Sequence, residues 1–223
     1  GIQPDFLIAR SEQPIDNARK EKLAIHCNVA MDDVIAAPDA DSIYDIPFNF
    51  EKENLSLHIL EKLNLPLRRK TPDNLAWKKF VAATKQHHHR VKIGIVGKYF
   101  ATGDFSLTDS YISVIESVKH AAAANHSKVE LHWLSAEDVE KKGIAVLKGM
   151  DGLIIPQGWG GRGAEGKITA IKYCREKKIP YFGLCYGMQM AVIEFARNVA
   201  GLKAANSAEV DPKTPDPVIH IMP

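Results

Sequence analysis

The chain has 223 residues, 45% hydrophobic and 25% charged, an ordinary composition for a globular protein. Its formal net charge is +2 and no basic stripe dominates, which removes the electrostatic support for nucleic-acid binding. No apolar stretch approaches the ~18 residues of a membrane span, and no signal peptide precedes Phe6-Leu7-Ile8-Ala9.

The first block runs over residues 1–65. Asp5-Phe6-Leu7-Ile8-Ala9 is expected as a strand, Asp16 to His26 as a helix, and Val34-Ile35-Ala36 as a second strand. Pro47 is expected to end a short extended piece, and Leu55, Ile59, Leu60 and Leu63 to give one apolar helix face. Residues 66–90 are expected as a connector, broken by Pro66, Arg68-Arg69-Lys70 and Thr71-Pro72. Within it Trp77, Phe80, Val81 and Thr84 share a helix stripe suited to core contact. His87-His88-His89 with Arg90 suits a solvated linker better than a metal site, because consecutive side chains do not share a face.

From Val91 onward strand and helix patterns alternate. Val91 to Val96 is a near-continuous apolar run, Thr108 is expected to cap a helix carrying Tyr111, Val114, Ile115 and Val118, and Val129, Leu131 and Trp133 alternate as a strand. Ser135-Ala136-Glu137-Asp138 has a helix-start pattern, and Leu153-Ile154-Ile155 reads as a strand ended by Pro156. Gly166 to Lys178 reads as a helix and Tyr181 to Leu184 as a further strand. This alternation predicts a parallel α/β sheet, with sites beyond the carboxyl ends of the strands.

Cys185 lies at one such end, in Gly183-Leu184-Cys185-Tyr186-Gly187. Met188, Ala191, Val192, Phe195, Ala196 and Val199 follow at helical spacing, and Gly201 is expected as the left-handed stop. Glycines on both sides permit a sharp turn that holds the thiol out above a helix start, where negative charge is favoured. The same pattern also suits a buried structural cysteine. Cys27, Cys174 and Cys185 are an odd, widely spaced set without C-x-x-C, which favours a reducing cytosol over a disulfide framework or a zinc site. A second glycine-rich turn, Pro156-Gln157-Gly158-Trp159-Gly160-Gly161-Arg162-Gly163, follows the preceding strand. Together the turns hold the parts for acyl transfer: a Cys185 nucleophile and an oxyanion hole from the N–H groups of Gly158 and Tyr186. Two ordinary loops would have the same composition. Gly94-Ile95-Val96-Gly97-Lys98-Tyr99 lacks the glycine spacing and terminal Ser/Thr of a P-loop.

The two glycine turns resemble those of a class I glutamine amidotransferase domain. The stretch from Ala191 to Gly201, Ala205-Asn206-Ser207-Ala208-Glu209, Gly97-Lys98-Tyr99, Asp109-Ser110-Tyr111, Gly1-Ile2-Gln3-Pro4-Asp5 and Asp41 to Pro47 with Phe50 resemble the CTP synthase family in particular. The resemblance implies the end of a synthetase domain of P-loop-like α/β fold over 1–65, a linker over 66–90, and over 91–223 the first part of an amidotransferase-like parallel α/β domain. It implies ATP-dependent amination of UTP to CTP with ammonia from glutamine, carried through an internal channel. Magnesium assists the ATP step and GTP activates the glutaminase. A homotetramer in the cytoplasm, without nucleic-acid or membrane partners, is also implied.

Carried over by position, Cys185 matches the nucleophile and Gly158 and Tyr186 the oxyanion donors. Gly158, Tyr186, Gly187, Met188, Gln189 and Glu209 match the glutamine site, Glu209 through the substrate's amino group. Lys22 matches a lysine near the UTP/CTP phosphates, and Asp39 and Ala40 a backbone segment beside ATP. Lys98, Trp159, Arg162 and Glu165 fall in regions used for GTP activation, and no metal ligand is assigned. Without the resemblance, Lys22 would read as a solvated helix lysine and Glu209 as an ordinary loop carboxylate.

Departures from the family pattern fall at Pro38, Gln157, Trp159, Tyr186 and Ala208, and the Tyr99-to-Asp109 loop is long. A positive φ at Gln157 would cost about 1 kcal/mol or more. None of the nine histidines is followed two positions later by Glu, the pattern of the family's general base, and the synthetase phosphate loop and magnesium carboxylates lie upstream in the family. The chain is therefore expected to be a central window of a longer protein, unable alone to hydrolyse glutamine efficiently or to make CTP. Another class I amidotransferase, or a non-catalytic homologue with a scaffolding role, are the alternatives.

Overall fold

The computed structural model describes residues 2–67, 74–85, 89–98, 101–102, 105–106 and 108–220. It divides into two units, Gly1–Val81 and Ala82–Pro223, each with its own packing.

The first unit is a strand–helix–strand arrangement followed by helices. β1 (Leu7–Ser11) pairs in parallel with β2 (Val34–Pro38), Leu7 opposite Val34, and α1 (Asn17–Cys27) crosses between them. Asp16 caps α1, its carboxylate accepting from Arg19 N–H at 2.8 Å. Val34 through Ala37 are all buried, as expected of a strand covered on both faces. α2 (Ile46–Lys52), α3 (Leu55–Lys62) and α4 (Leu75–Lys85) complete the unit. The Lys62 ammonium of α3 pairs with the buried Asp33 carboxylate at 2.7 Å. Trp77 Nε1 donates to the Tyr44 carbonyl at 2.9 Å, and the Tyr44 ring meets Phe80 edge-on at 5.0 Å between centroids.

Several expectations are corrected here. The first strand starts two residues later than Asp5. Pro47 does not end an extended piece: it opens α2, because a first-turn proline has no intrahelical N–H bond to lose. The Leu55–Ile59–Leu60–Leu63 face exists, but no residue of α3 is fully buried. In the 66–90 stretch the Trp77 stripe is helical as expected, with Val81 buried. His87 and His88, like Arg68-Arg69-Lys70 and Thr71-Pro72, lie outside the described residues, whereas His89 already belongs to the next strand.

The second unit is built on a four-stranded parallel sheet. β3 (His89–Gly97) leads to a short antiparallel pair, β4 (Ala101–Thr102) and β5 (Phe105–Ser106). Then come α5 (Ile112–Ala124), β6 (Ser127–Ser135), α6 (Ala136–Lys142), β7 (Gly152–Ile155), α7 (Ala164–Lys177), β8 (Tyr181–Gly183) and α8 (Tyr186–Asn198). The sheet order is β6-β3-β7-β8, and a small parallel pair, β9 (Asn206–Ser207) with β10 (Pro217–Ile219), follows. Thr108 opens a short 3-10 turn rather than capping α5, whose first residue is Ile112. Ser135 does cap α6, accepting from Asp138 N–H, and α7 starts at Ala164, two residues before Gly166.

Strand alternation sorts the core into two layers. Val96, Leu153 and Ile155 face a cluster with α6, α7 and α8 that includes Ile168, Ile171, Met190 and Ile193. Ile95 packs on the opposite face with Tyr111 and Val114 beside α5, and Ile154 and Leu184 join there. Among the described residues α5 is the α-helix packed on that face, and Phe182 on the edge strand is 60% exposed and lines an open apolar hollow of about 360 Å³ with Ile154 and Leu184. α8 buries Tyr186, Met190, Ile193 and Ala196. Of the residues singled out at helical spacing, Ala196 is buried, whereas Met188, Val192, Phe195 and Val199 are exposed. Gly201 has φ +81°, and the Leu202 N–H bonds back to the Ala196 carbonyl at 3.0 Å, the left-handed stop foreseen for this helix.

Candidate active site

β7 and β8 are adjacent and in register, Leu153 opposite Tyr181 and Ile155 opposite Gly183, so the loops leaving their carboxyl ends emerge side by side. The turn from β8 to α8 depends on both of its glycines. A Cβ on Gly183 would lie 2.8 Å from the Gly187 carbonyl carbon, and one on Gly187 would lie 2.0 Å from the Ile155 carbonyl oxygen. Between them Cys185 is exposed and sits at φ 52°, ψ −104°, a left-handed conformation that costs a non-glycine residue of order 1–3 kcal/mol. The turn is closed by Gly187 N–H to the Leu184 carbonyl at 2.9 Å and Gln189 N–H to the Cys185 carbonyl at 3.1 Å. Strain at an exposed thiol marks Cys185 off from Cys174, which is buried in α7 with its thiol pushed up to about 11 by desolvation.

The glycine loop after β7 is tied down from three directions. Tyr186, first residue of α8, donates its hydroxyl to the Gly160 carbonyl at 2.6 Å. Glu209, just beyond β9, accepts the Gly160 N–H at 2.6 Å. Lys167, fully buried in the first turns of α7, places its Nζ 4.8 Å from the centre of the Tyr186 ring. A Cβ on Gly158 would stand 3.1 Å from Lys167 Nζ, 3.4 Å from Lys98 Cε and 3.6 Å from Tyr186 Cδ1, so these side chains converge on Gly158. Burial, and then the nearby Lys98 charge, lower Lys167 to about 8. Lys98 is lowered as well, by burial and by Arg162, with Glu209 opposing. Among the described residues the Gln189 Oε1 is buried without a hydrogen-bond partner.

The chain matches two family models, "CTP synthase N-terminus" over residues 1–65 and "Glutamine amidotransferase class-I" over residues 106–216. It is 47% identical over its whole length to CTP synthase of Thermococcus gammatolerans and 48% to that of Caldanaerobacter subterraneus subsp. tengcongensis. The chain belongs to the CTP synthase family. It spans about 40% of the length of each of those two relatives. The glutaminase domain of a Trypanosoma brucei CTP synthase, solved with bound acivicin, superposes on 59% of this chain and 50% of its own with a TM-score of 0.54 and 37% identity.

Against the CTP synthase pattern, the departures take on physical form. Gln157 is not among the residues of positive φ, so the cost foreseen for it does not arise. The side chain of Tyr186 supplies a tether to Gly160 that a leucine could not. Trp159 is 64% exposed. Ala208 keeps its backbone role, its N–H donating to the Ile219 carbonyl at 2.8 Å.

The other expected positions divide between the units. Gly187 is buried and Met188 exposed at the start of α8. Arg162 pairs with Glu137 at 3.4 Å, and both carboxylate oxygens of Glu165 accept from Arg197, at 2.9 and 3.0 Å. In the first unit Lys22 is exposed on α1, and Asp39 and Ala40 leave the carboxyl end of β2, where Asp39 pairs with Arg10 at 3.2 Å. Lys167 was missed. Lysine is ordinarily an exposed residue, and its only sequence signal is its place four residues into a helix that follows a glycine loop.

Proposed function

We propose that Cys185 is the nucleophile of a glutamine-hydrolysing site, and that the protein to which the chain belongs makes CTP from UTP with the ammonia released. The observation that carries this reading is the exposed Cys185 thiol, held in a strained conformation between β8 and α8 and beside a tethered glycine loop. The sulfur attacks the side-chain amide carbon of glutamine, and the N–H groups of Gly158 and Tyr186 receive the oxyanion. The tetrahedral adduct collapses with loss of ammonia, which takes up the thiol proton, and leaves a thioester. Water then releases glutamate and restores the thiol.

The Gln189 Oε1 and the second Glu209 oxygen suit the α-ammonium of glutamine, with Gly187 and Met188 lining the same turn. The base that carries the proton is supplied by residues other than a His-x-Glu pair of this sequence. On the synthetase side, residues 1–65, Lys22 is placed near the UTP or CTP phosphates and Asp39 and Ala40 beside ATP, which activates the uracil oxygen for displacement by ammonia. Residues 66–90 serve as linker and 91–223 as the amidotransferase portion. Among the described residues no group of three or more His, Cys, Asp or Glu side chains could hold the magnesium this family uses. GTP activation through Lys98, Trp159, Arg162 and Glu165 would require Arg162 and Glu165 to exchange their present partners. A cytoplasmic homotetramer completes the reading.

The test is covalent labelling of the full-length protein by acivicin, a glutamine-like electrophile, with the modified residue located by mass spectrometry. Modification of Cys185 that glutamine suppresses is expected; an unlabelled Cys185 overturns the assignment.

A further inference from the structure

Lys167 is the one lysine of the described residues that the fold buries completely, and its Nζ has no hydrogen-bond partner there. A buried ammonium without such a partner is costly, and replacement by an apolar side chain is commonly neutral or stabilising. Its surroundings show what this charge sits against. Nζ lies over the Tyr186 ring, 4.8 Å from its centroid, and 3.1 Å from where a Cβ on Gly158 would stand. Those are the two residues whose N–H groups are assigned to the oxyanion. The charged group that acts on it is Lys98, which follows β3, with Arg162 and Glu209 acting on Lys98 in turn; Glu140 of α6 accepts the neighbouring Gly166 N–H at 3.0 Å. Among the described residues no carboxylate hydrogen-bonds to Lys167 Nζ.

We propose that Lys167 is a positioning residue of the glutaminase site: its buried ammonium, seated between Gly158 and the Tyr186 ring, holds the two oxyanion donors in place and biases them toward negative charge. The inference rests on the proposed function of Cys185. A Cβ at position 158 would crowd this ammonium at 3.1 Å, so glycine there leaves it room beside the loop. At neutral pH, below the lowered value of about 8, the side chain keeps its charge. The effect belongs to the transition state, where the oxyanion forms, more than to glutamine binding.

The experiment compares wild type with Lys167→Met in the full-length protein, and measures glutamine hydrolysis, product formation from added ammonia, and thermal midpoint. Lys167→Gln, neutral and of similar length, is the second variant should the first not yield folded protein. The expected result is a fall in kcat for hydrolysis on the order of 10- to 100-fold, below the loss for removing an oxyanion donor outright. KM for glutamine should stay within about twofold, with ammonia-dependent synthesis unchanged and a thermal midpoint no lower than wild type. An unchanged kcat overturns the proposal. So does a fall in kcat matched by a rise in KM, by a loss of ammonia-dependent synthesis or by a lowered midpoint, and so does failure of both variants to fold, each of which marks a structural role. A wild type that neither hydrolyses glutamine nor takes the Cys185 label would overturn the functional reading as well, whereas an active wild type with an equally active variant sinks the Lys167 role alone.

Discussion

Tyr186 and Gly160 are 26 residues apart, yet the tyrosine hydroxyl donates to the glycine carbonyl at 2.6 Å, so the residue next to Cys185 anchors the glycine loop that follows β7. The same glycine gives its N–H to Glu209, and the loop is therefore held from both sides of one residue. Tyr186→Phe should remove one tether and leave the other. The net worth of such a bond is about 1 kcal/mol. A several-fold slower acivicin labelling of Cys185 is expected, with little change in melting; an unaltered labelling rate would show that Glu209 alone suffices.

With the glutamine-binding role proposed for it, Glu209 does two things that substitution can separate. Glu209→Gln keeps an oxygen to accept the Gly160 N–H but loses the charge offered to the substrate ammonium, whereas Glu209→Ala loses both. Glu209→Gln should raise KM for glutamine with a smaller effect on kcat, and Glu209→Ala should lower kcat in addition. Steady-state hydrolysis by the full-length protein distinguishes them, and equal kcat values for the two variants would count against the loop tether.

The fold was legible where burial is expressed as a run. Val34 to Ala37, Val91 to Val96 and Leu153 to Ile155 are apolar stretches that became buried or half-buried strands at nearly the expected residues. The cysteine turn and the glycine loop were legible because glycine alone tolerates the close approaches at Gly183 and Gly187 and best suits the positive φ at Gly160 and Gly163. Which face of α8 is buried was not, because the helix is apolar on more than one side. Tyr186, Met190 and Ile193 compete with Met188, Val192 and Phe195, and periodicity cannot choose between two apolar faces. Pro47 was misread because proline suits a helix start as well as an extended end. The Glu209–Gly160 and Lys167–Tyr186 contacts are side-chain meetings across loops and helices, for which sequence spacing carries no signal.

The strain at Cys185 predicts a stability gain on replacing this cysteine by glycine. At φ 52°, ψ −104° a glycine has no Cβ penalty. Cys185→Gly should abolish labelling and hydrolysis while raising unfolding free energy by about 1 kcal/mol, offset in part by the greater entropy of an unfolded glycine. Cys185→Ala, which keeps the Cβ, should be equally inactive without that gain. Denaturant midpoints of the two variants give the comparison, and a Cys185→Gly protein less stable than Cys185→Ala would contradict the strain assignment.

Lys167 gives stability a pH dependence of definite sign. Its pKa falls from 10.5 unfolded to about 8 folded, chiefly through burial and then through Lys98. Between those values the unfolded state binds more protons than the folded state, so this residue makes stability rise as pH increases from about 8 toward 10.5. Below pH 8 the penalty is present in full and amounts to something on the order of 3 kcal/mol. Lys167→Met should remove it, leaving a protein more stable at pH 7 and flatter in its stability between pH 8 and 10.5. Urea midpoints at pH 7 and pH 10 for both proteins read this directly. A variant less stable than wild type at pH 7 would mean that the ammonium is compensated in the folded state, and that its charge is not what this site carries at a cost to the fold.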